Sequence, residues 1–202
     1  MNFVLPTDWG ARINYANWAD TPFIKDNVAI HWGGTHAPTW ADGVEAEMAI
    51  LRGWESYHLD SKGWRGIAYG YGVGASGTVY QLRGKNNYGA HQGDEDNDGI
   101  SNNKEVVPIV AIMGEGSGGP TAEMWLGMRA LYQYLIKQPW TDGDLKVFGH
   151  REIQPKATQC PGDIIMDGIK KGWVQMPPPT MEPTLEERIA TMEKFVSDMR
   201  AL

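Results

Sequence analysis

The chain has 202 residues, 42% hydrophobic and 21% charged, which is typical of a globular protein with one sizeable core. Its net charge of -7 argues against a nucleic-acid binder, whose binding surface would be basic. A single cysteine excludes an internal disulfide framework, and the longest apolar runs are strand-sized, so we expect no stable membrane insertion.

Five short apolar runs predict β-strands, because they are rich in Val, Ile and Tyr and most are bounded by glycine or polar residues. They cover residues 27–32, 67–73, 78–83, 106–114 and 145–149. The sequence Gly-Ala-Ser-Gly between the second and third runs predicts a hairpin.

Two longer segments, 44–59 and 121–138, have apolar residues at helical spacing, and Thr121 is a suitable N-cap for the second. A third helix is predicted to start after Cys160, with Pro161 at its first position. Strands alternating with helices predict an α/β domain over residues 1–175, with a central, mostly buried mixed β-sheet flanked by helices.

Two segments follow this predicted domain. Residues 176–183 are rich in proline and predict a stiff linker. Residues 184–202 begin with the capping box Thr184-x-x-Glu187 and predict an amphipathic helix. Its apolar stripe fits docking onto its own domain as well as it fits self-association.

The only cysteine lies in the sequence GHREIQPKATQCPG, ten residues after His150. His31 and His150 both follow predicted strands, and loops at strand ends are where sites gather in α/β sheets. Cys160 lies near a predicted helix N-terminus, which favours a thiolate. Two imidazoles and a thiolate suit zinc and leave a fourth tetrahedral position open for water. The alternative is two structural histidines and an inert, buried cysteine.

Several motifs in a fixed order carry a resemblance to a known family. They are DWGAR (8–12), VAIHWGGT (28–35), the segment 57–83 with its Gly-Trp and tyrosine-bearing hairpin, YGAH (88–91), GPTAEM (119–124) and GHREIQPKATQCPG (149–162). Over roughly residues 8–175 the chain resembles the N-acetylmuramoyl-L-alanine amidases of the peptidoglycan recognition protein superfamily, the type 2 amidases found in phage endolysins.

The resemblance implies a reaction, a metal and roles for single residues. The reaction is hydrolysis of the amide between the lactyl group of N-acetylmuramic acid and L-alanine in bacterial peptidoglycan. Zinc would be held by His31, His150 and Cys160. Tyr69 takes the position of the active-site tyrosine and would donate a hydrogen bond to the oxyanion or the leaving group. Thr158 takes a position that is lysine or threonine in active members, and would position water or substrate.

Two further histidines are candidates for substrate binding. His91 matches a family position near the cleft, where substrate contact and a structural role are both open. His36 matches no family position, and we place it in a loop near the mouth of the cleft.

An acidic segment predicts a second metal site. Residues 94–105 fit the calcium-loop pattern D-x-[DN]-x-[DN]-G-x5-E. The ligands would be the side chains of Asp94, Asp96, Asp98 and Glu105 and the carbonyl oxygen of Ile100. The alternative is a solvated acidic loop that binds no ion.

Three functions are therefore compared: a zinc amidase that cuts peptidoglycan, a binding module that recognises it without turnover, and a calcium-stabilised structural or assembly protein. The first residues lack a basic segment followed by a long apolar run, so we expect no signal peptide. This favours a phage endolysin that stays in the host cytoplasm until its release to the cell wall.

Overall fold

A computed structural model describes residues 2–34, 43–85, 91, 93–94, 98–154, 158–176, 193–194 and 196–198. Its strands form one five-stranded sheet in the order β3-β2-β4-β1-β5. The β2–β3 pair is antiparallel and the other pairs are parallel, which confirms the predicted mixed sheet. The strands are β1 (Lys25–Trp32), β2 (Tyr71–Val73), β3 (Val79–Gln81), β4 (Val106–Ala111) and β5 (Thr141–Gly149).

Helices flank this sheet, as predicted. The described α-helices are α1 (Pro6–Trp9), α2 (Val44–Ser56), α3 (Asn102–Glu105), α4 (Ala122–Leu135), α5 (His150–Ile153) and α6 (Asp163–Lys170). Short 3-10 turns span Tyr15–Asn17 and Glu115–Ser117, and a π-helical turn, Tyr57–Ser61, continues α2. No helix in the described ranges is both long and apolar enough to cross a bilayer.

The predicted helix starts are partly right. The Thr121 side chain accepts a 3.0 Å hydrogen bond from the Met124 N–H, so Thr121 is the N-cap of α4. The predicted start of the third helix is wrong, because α6 begins at Asp163 and not at Pro161. Gly162 precedes α6 with a φ of +87°, a backbone conformation that glycine adopts without steric cost.

The sheet separates two apolar clusters. On one face, Val28 and Ile30 of β1 pack with residues of α4 and α6, including the fully buried Trp125. On the other, Val110 and Ile112 pack with Leu51 of α2 and with Tyr69. Successive strand residues point to opposite faces of a sheet. Ile30 faces α4 and α6, so His31, the next residue, faces α2 and lies beside Val110 of β4.

A buried carboxylate joins α2 to the β2–β3 hairpin. Glu47 is fully buried, and its carboxylate accepts hydrogen bonds from the Tyr80 hydroxyl at 2.6 Å and from the Ser76 N–H and hydroxyl at 2.8 and 2.9 Å. A Cβ on Gly74 would collide with this carboxylate, so the close approach requires glycine. These hydrogen bonds fix the position of α2 relative to the hairpin.

The C-terminal segments are described only in part. Residues 193–194 and 196–198 are helical, and Lys194 and Asp198 form an ion pair one turn apart at 2.9 Å. The predicted linker beyond Met176 and the rest of the predicted helix lie outside the described residues. The self-association of this helix stays a prediction.

Candidate metal centre

Two histidines meet at one edge of the sheet because their strands are parallel neighbours. Ile30 of β1 pairs with Gly149 of β5, so the next residues, His31 and His150, lie side by side where the strands end. Their ring centroids are 4.3 Å apart. The strand-end prediction for these two residues is consistent with this geometry.

Cys160 completes the group from the loop that precedes α6. Its sulfur lies 3.8 Å from His31 Nδ1 and accepts the Trp32 N–H at 3.4 Å. Its carbonyl oxygen accepts the Arg151 N–H at 2.8 Å, which ties the loop to α5. One ligand atom from each of His31, His150 and Cys160 lies within 4.8 Å of the others. We call these three residues the metal trio.

Burial sets the protonation of the trio. Desolvation, reinforced by His91 and His150, lowers the pKa of His31 well below its ordinary value, and desolvation also lowers that of His150. Both imidazoles are therefore neutral at pH 7, with a lone pair available to a metal. Burial raises the pKa of the Cys160 thiol to about 12.

The pKa of the thiol corrects one prediction. We expected the helix N-terminus to favour a thiolate at Cys160, but α6 begins three residues later and the N–H that reaches the sulfur belongs to Trp32. Desolvation outweighs that hydrogen bond. Loss of the proton from Cys160 therefore needs a positive charge within the trio, as a divalent cation would supply.

The chemistry of the donors fits zinc. Two neutral imidazoles and one sulfur form a borderline-soft set of the kind that zinc prefers, and the three donors leave one tetrahedral position open. Calcium and magnesium, by contrast, select oxygen ligands.

Tyr69 and Thr158 flank the trio. The Tyr69 ring centroid lies 5.2 Å from that of His31, and burial raises the pKa of Tyr69, so its hydroxyl keeps its proton. The Thr158 hydroxyl oxygen accepts the Cys160 N–H at 3.0 Å. Thr158 therefore holds the cysteine loop in place, a contact that the resemblance did not indicate.

The structure describes one of the two histidines that were candidates for substrate binding. The His91 side chain is 0% exposed, and its Nε2 lies 2.6 Å from His31 Nε2. Of the two roles left open by the sequence, the structure favours the internal one over substrate contact. His36 lies outside the described residues.

Sequence reasoning missed Gln154, whose side-chain oxygen lies 2.8 Å from His150 Nε2. The two residues are four positions apart at the ends of α5, a spacing that brings side chains together on a helix. The spacing of four residues was the sequence feature that could have indicated this contact.

The acidic loop gathers part of its predicted ligand set. Carboxylate oxygens of Asp94, Asp98 and Glu105 lie within 4.8 Å of one another, whereas Asp96 is outside the described residues. The Asp94 side chain accepts the N–H groups of Asp98 and Gly99, and Asp98 accepts that of Ile100 at 2.7 Å. Gly99, the glycine of the calcium-loop pattern, has a φ of +87°, a backbone conformation that glycine adopts without steric cost. Calcium binding by this loop stays a prediction.

The mixed sheet and the His-His-Cys trio at its edge define an α/β protein with a zinc-type donor set. Residues 22–163 match the family model described as N-acetylmuramoyl-L-alanine amidase. The match spans more than half of the chain, and the chain belongs to this family.

Named relatives support the same superfamily. Peptidoglycan-recognition protein SC1a/b of Drosophila simulans is 30% identical over 176 residues, which cover 84% of this chain and 84% of the relative. Human N-acetylmuramoyl-L-alanine amidase is 31% identical over 143 residues, covering 70% of this chain and 23% of the relative.

Solved structures share the fold. Wild-type Drosophila PGRP-LB aligns with a TM-score of 0.73 and 24% identity, covering 89% of this chain and 99% of that one. A mutant of the same protein in complex with tracheal cytotoxin aligns with a TM-score of 0.72 and 25% identity, covering 88% and 96%. These similarities agree with the fold predicted from the sequence.

Proposed function

We propose that this protein hydrolyses the amide between N-acetylmuramic acid and L-alanine in peptidoglycan, with zinc as its cofactor. The observation that carries the proposal is the convergence of His31, His150 and Cys160 on one point at the edge of the sheet. Membership in the amidase family supplies the substrate class.

The metal trio would hold the ion. When bound, zinc supplies Lewis acidity, which activates water for attack and polarises a carbonyl oxygen. Two hydrogen bonds fix the position of Cys160: the Trp32 N–H donates to its sulfur, and the Thr158 hydroxyl oxygen accepts its backbone N–H. Donors fixed in advance do not have to reorganise during the reaction.

Tyr69 is the proposed hydrogen-bond donor in the reaction. Its raised pKa keeps the O–H intact at neutral pH, and its ring lies next to His31 and packs against the α2 cluster. A protonated phenol at this position would donate to the oxygen that gains negative charge in the transition state, or to the departing amine.

The alternative is a protein that recognises peptidoglycan without cutting it. Several relatives are named as recognition proteins, and one structural neighbour is a mutant bound to tracheal cytotoxin. The complete trio favours hydrolysis, because three donors leave a fourth tetrahedral position for water, which binding without turnover does not need.

The decisive experiment combines metal analysis with product analysis. Purified cell walls are digested with the zinc-loaded protein, with Cys160→Ala, and with Lys146→Ala, a control at an exposed position of β5. We expect the wild type and the control to hold zinc and release stem peptides with a free L-alanine amine. Cys160→Ala should lose both properties.

The other outcomes separate the alternatives. A protein that holds zinc and binds muropeptides but releases no peptide is a recognition module. Release of stem peptides by chelated, metal-free protein would refute the zinc assignment. The proposal that the protein is a phage endolysin is tested by expressing it in a bacterial host. We expect lysis only when a holin, a phage protein that opens the membrane, is co-expressed.

A further inference from the structure

His91 and His31 meet nitrogen to nitrogen. Their Nε2 atoms are 2.6 Å apart and their ring centroids 4.8 Å apart, with an angle of 29° between the ring planes. This centroid separation is expected when two five-membered rings touch edge to edge through one nitrogen each. Rings that were stacked face to face could not place their centroids so far apart with that nitrogen contact. The contact is therefore a hydrogen bond.

Two ring nitrogens 2.6 Å apart have room for a single hydrogen between them, and a neutral imidazole carries its one N–H on only one of its two nitrogens. If His31 donates, its Nε2 carries the hydrogen and its Nδ1 keeps a bare lone pair. If His91 donates, the hydrogen of His31 must be on Nδ1. Nδ1 is the His31 nitrogen that lies 3.8 Å from the sulfur of Cys160. Only the first arrangement lets His31 offer a lone pair on the side of the trio.

His150 has an equivalent partner. Its Nε2 lies 2.8 Å from the Gln154 side-chain oxygen, which can only accept. Nε2 of His150 therefore carries the hydrogen, and Nδ1 is left bare. Both histidines of the trio thus have an acceptor at Nε2, although one acceptor is an imidazole and the other an amide.

We propose that His91 is a positioning residue of the metal centre: its Nε2 accepts the Nε2–H of His31 and commits Nδ1 of His31 to the metal, as Gln154 does for His150. The proposal rests on the proposed zinc site and deepens it. It assigns Nδ1 as the ligand atom of both histidines. Outer partners of this kind fix the tautomer and the orientation of a ligating ring.

Two other roles for His91 fit the structure less well. As a fourth ligand it would have to direct a nitrogen at the trio, but its Nε2 is directed at the far nitrogen of His31. As a substrate contact it would need an accessible ring, and the ring is 0% exposed. Its backbone N–H is held by the Asn103 side chain at 2.8 Å, which anchors it in this internal position.

The test measures zinc affinity by competition with a chelator, independently of turnover. His91→Phe keeps a ring but removes the acceptor, and we expect zinc affinity to fall about 10- to 100-fold. His91→Gln restores an acceptor at a similar reach and should recover most of the loss. His58→Phe is the matched control, because His58 is also a buried histidine, at 7% exposure, but lies outside the trio. It should lose stability without losing zinc affinity.

A second pair of variants tests the same idea at His150, so the proposal does not depend on the folding of the His91 variants. Gln154→Leu removes the acceptor of His150 at a half-buried position, whereas Gln154→Glu keeps it. We expect the leucine variant alone to bind zinc more weakly. Nitrogen-15 spectra of the histidine rings should show the Nε2–H form of His31 in the wild type, and a mixture of forms in His91→Phe.

The outcomes are distinct. Tight zinc binding by the wild type that is unchanged in His91→Phe and Gln154→Leu would overturn this proposal and leave the proposed function standing. A His31 ring with its hydrogen on Nδ1 in the zinc-bound protein would do the same. Failure of the wild type to bind zinc at all would overturn both.

Discussion

The carboxylate that joins α2 to the hairpin makes a quantitative prediction about stability. Glu47→Gln keeps the shape of the side chain but replaces one acceptor oxygen by an NH2 group. The cheaper orientation places this NH2 toward the two hydroxyls, because these can rotate. The Ser76 hydroxyl already lies 2.8 Å from Thr78 Oγ1, to which it can donate instead.

The cost follows from the bonds that change. Hydrogen bonds to a charged group contribute about 1.5–3 kcal/mol and neutral ones about 0.5–1.5 kcal/mol. Three bonds to the Glu47 carboxylate become neutral or are lost. Relief of the desolvation of a buried charge offsets part of this loss. We expect Glu47→Gln to lower the free energy of unfolding by about 2 kcal/mol.

Denaturant unfolding followed by tryptophan fluorescence measures this change. Glu45→Gln is the control on the same helix, since Glu45 is 77% exposed and pairs with Arg52 at the surface. That variant should change stability by less than about 0.5–1 kcal/mol. Adding Tyr80→Phe to Glu47→Gln should cost less than the sum of the two single effects, because the pair shares a bond. Equal stability of the two glutamine variants would refute the reasoning.

Three further predictions address the site, pH and the acidic loop. Tyr69→Phe should reduce amide hydrolysis by about 100- to 1,000-fold with zinc content unchanged, and a rate within tenfold of the wild type would contradict its role as donor. Burial lowers the pKa of His58 to about 4, and the ring accepts the Ala68 N–H, so the protonated form is disfavoured in the folded state. The folded pKa lies below the unfolded value, so the protein loses stability as the pH is lowered. From about pH 7.5 down to about pH 5, the free energy of unfolding should drop by about 2 kcal/mol more in the wild type than in His58→Gln. Parallel pH curves for the two proteins would contradict this. Calcium at about 100 times its dissociation constant should stabilise the protein by about 2.7 kcal/mol, and Asp98→Asn should lose this effect. A thermal midpoint that does not change with calcium would indicate a solvated loop that binds no ion.

Part of the trio was accessible from the sequence because His31 and His150 lie at predicted strand ends, whereas the ligand set with Cys160 came from the family resemblance. His31 and His150 each follow an apolar run, and such runs indicate strands from the local sequence, although the strand before His150 has several exposed residues. The same holds for Thr121, whose capping role depends only on its own helix.

Other features depend on how distant segments meet. The start of α6 was misplaced because Gly162 turns with a positive φ before the helix begins, and the sequence Pro-Gly alone fits either start. The raised pKa of the Cys160 thiol follows from the depth of the site and not from the nearby helix. The internal position of His91 follows from packing across the sheet edge, which periodicity does not encode.

The order of the strands has a consequence for biosynthesis. β1 is formed early in the chain, but its partner β5 and the Cys160 loop come from the last quarter of the domain. A chain still emerging from the ribosome has His31 without either of its companions. The complete donor set exists only once synthesis of the domain is nearly finished, so a nascent chain that ends before Cys160 lacks one of the three proposed ligands.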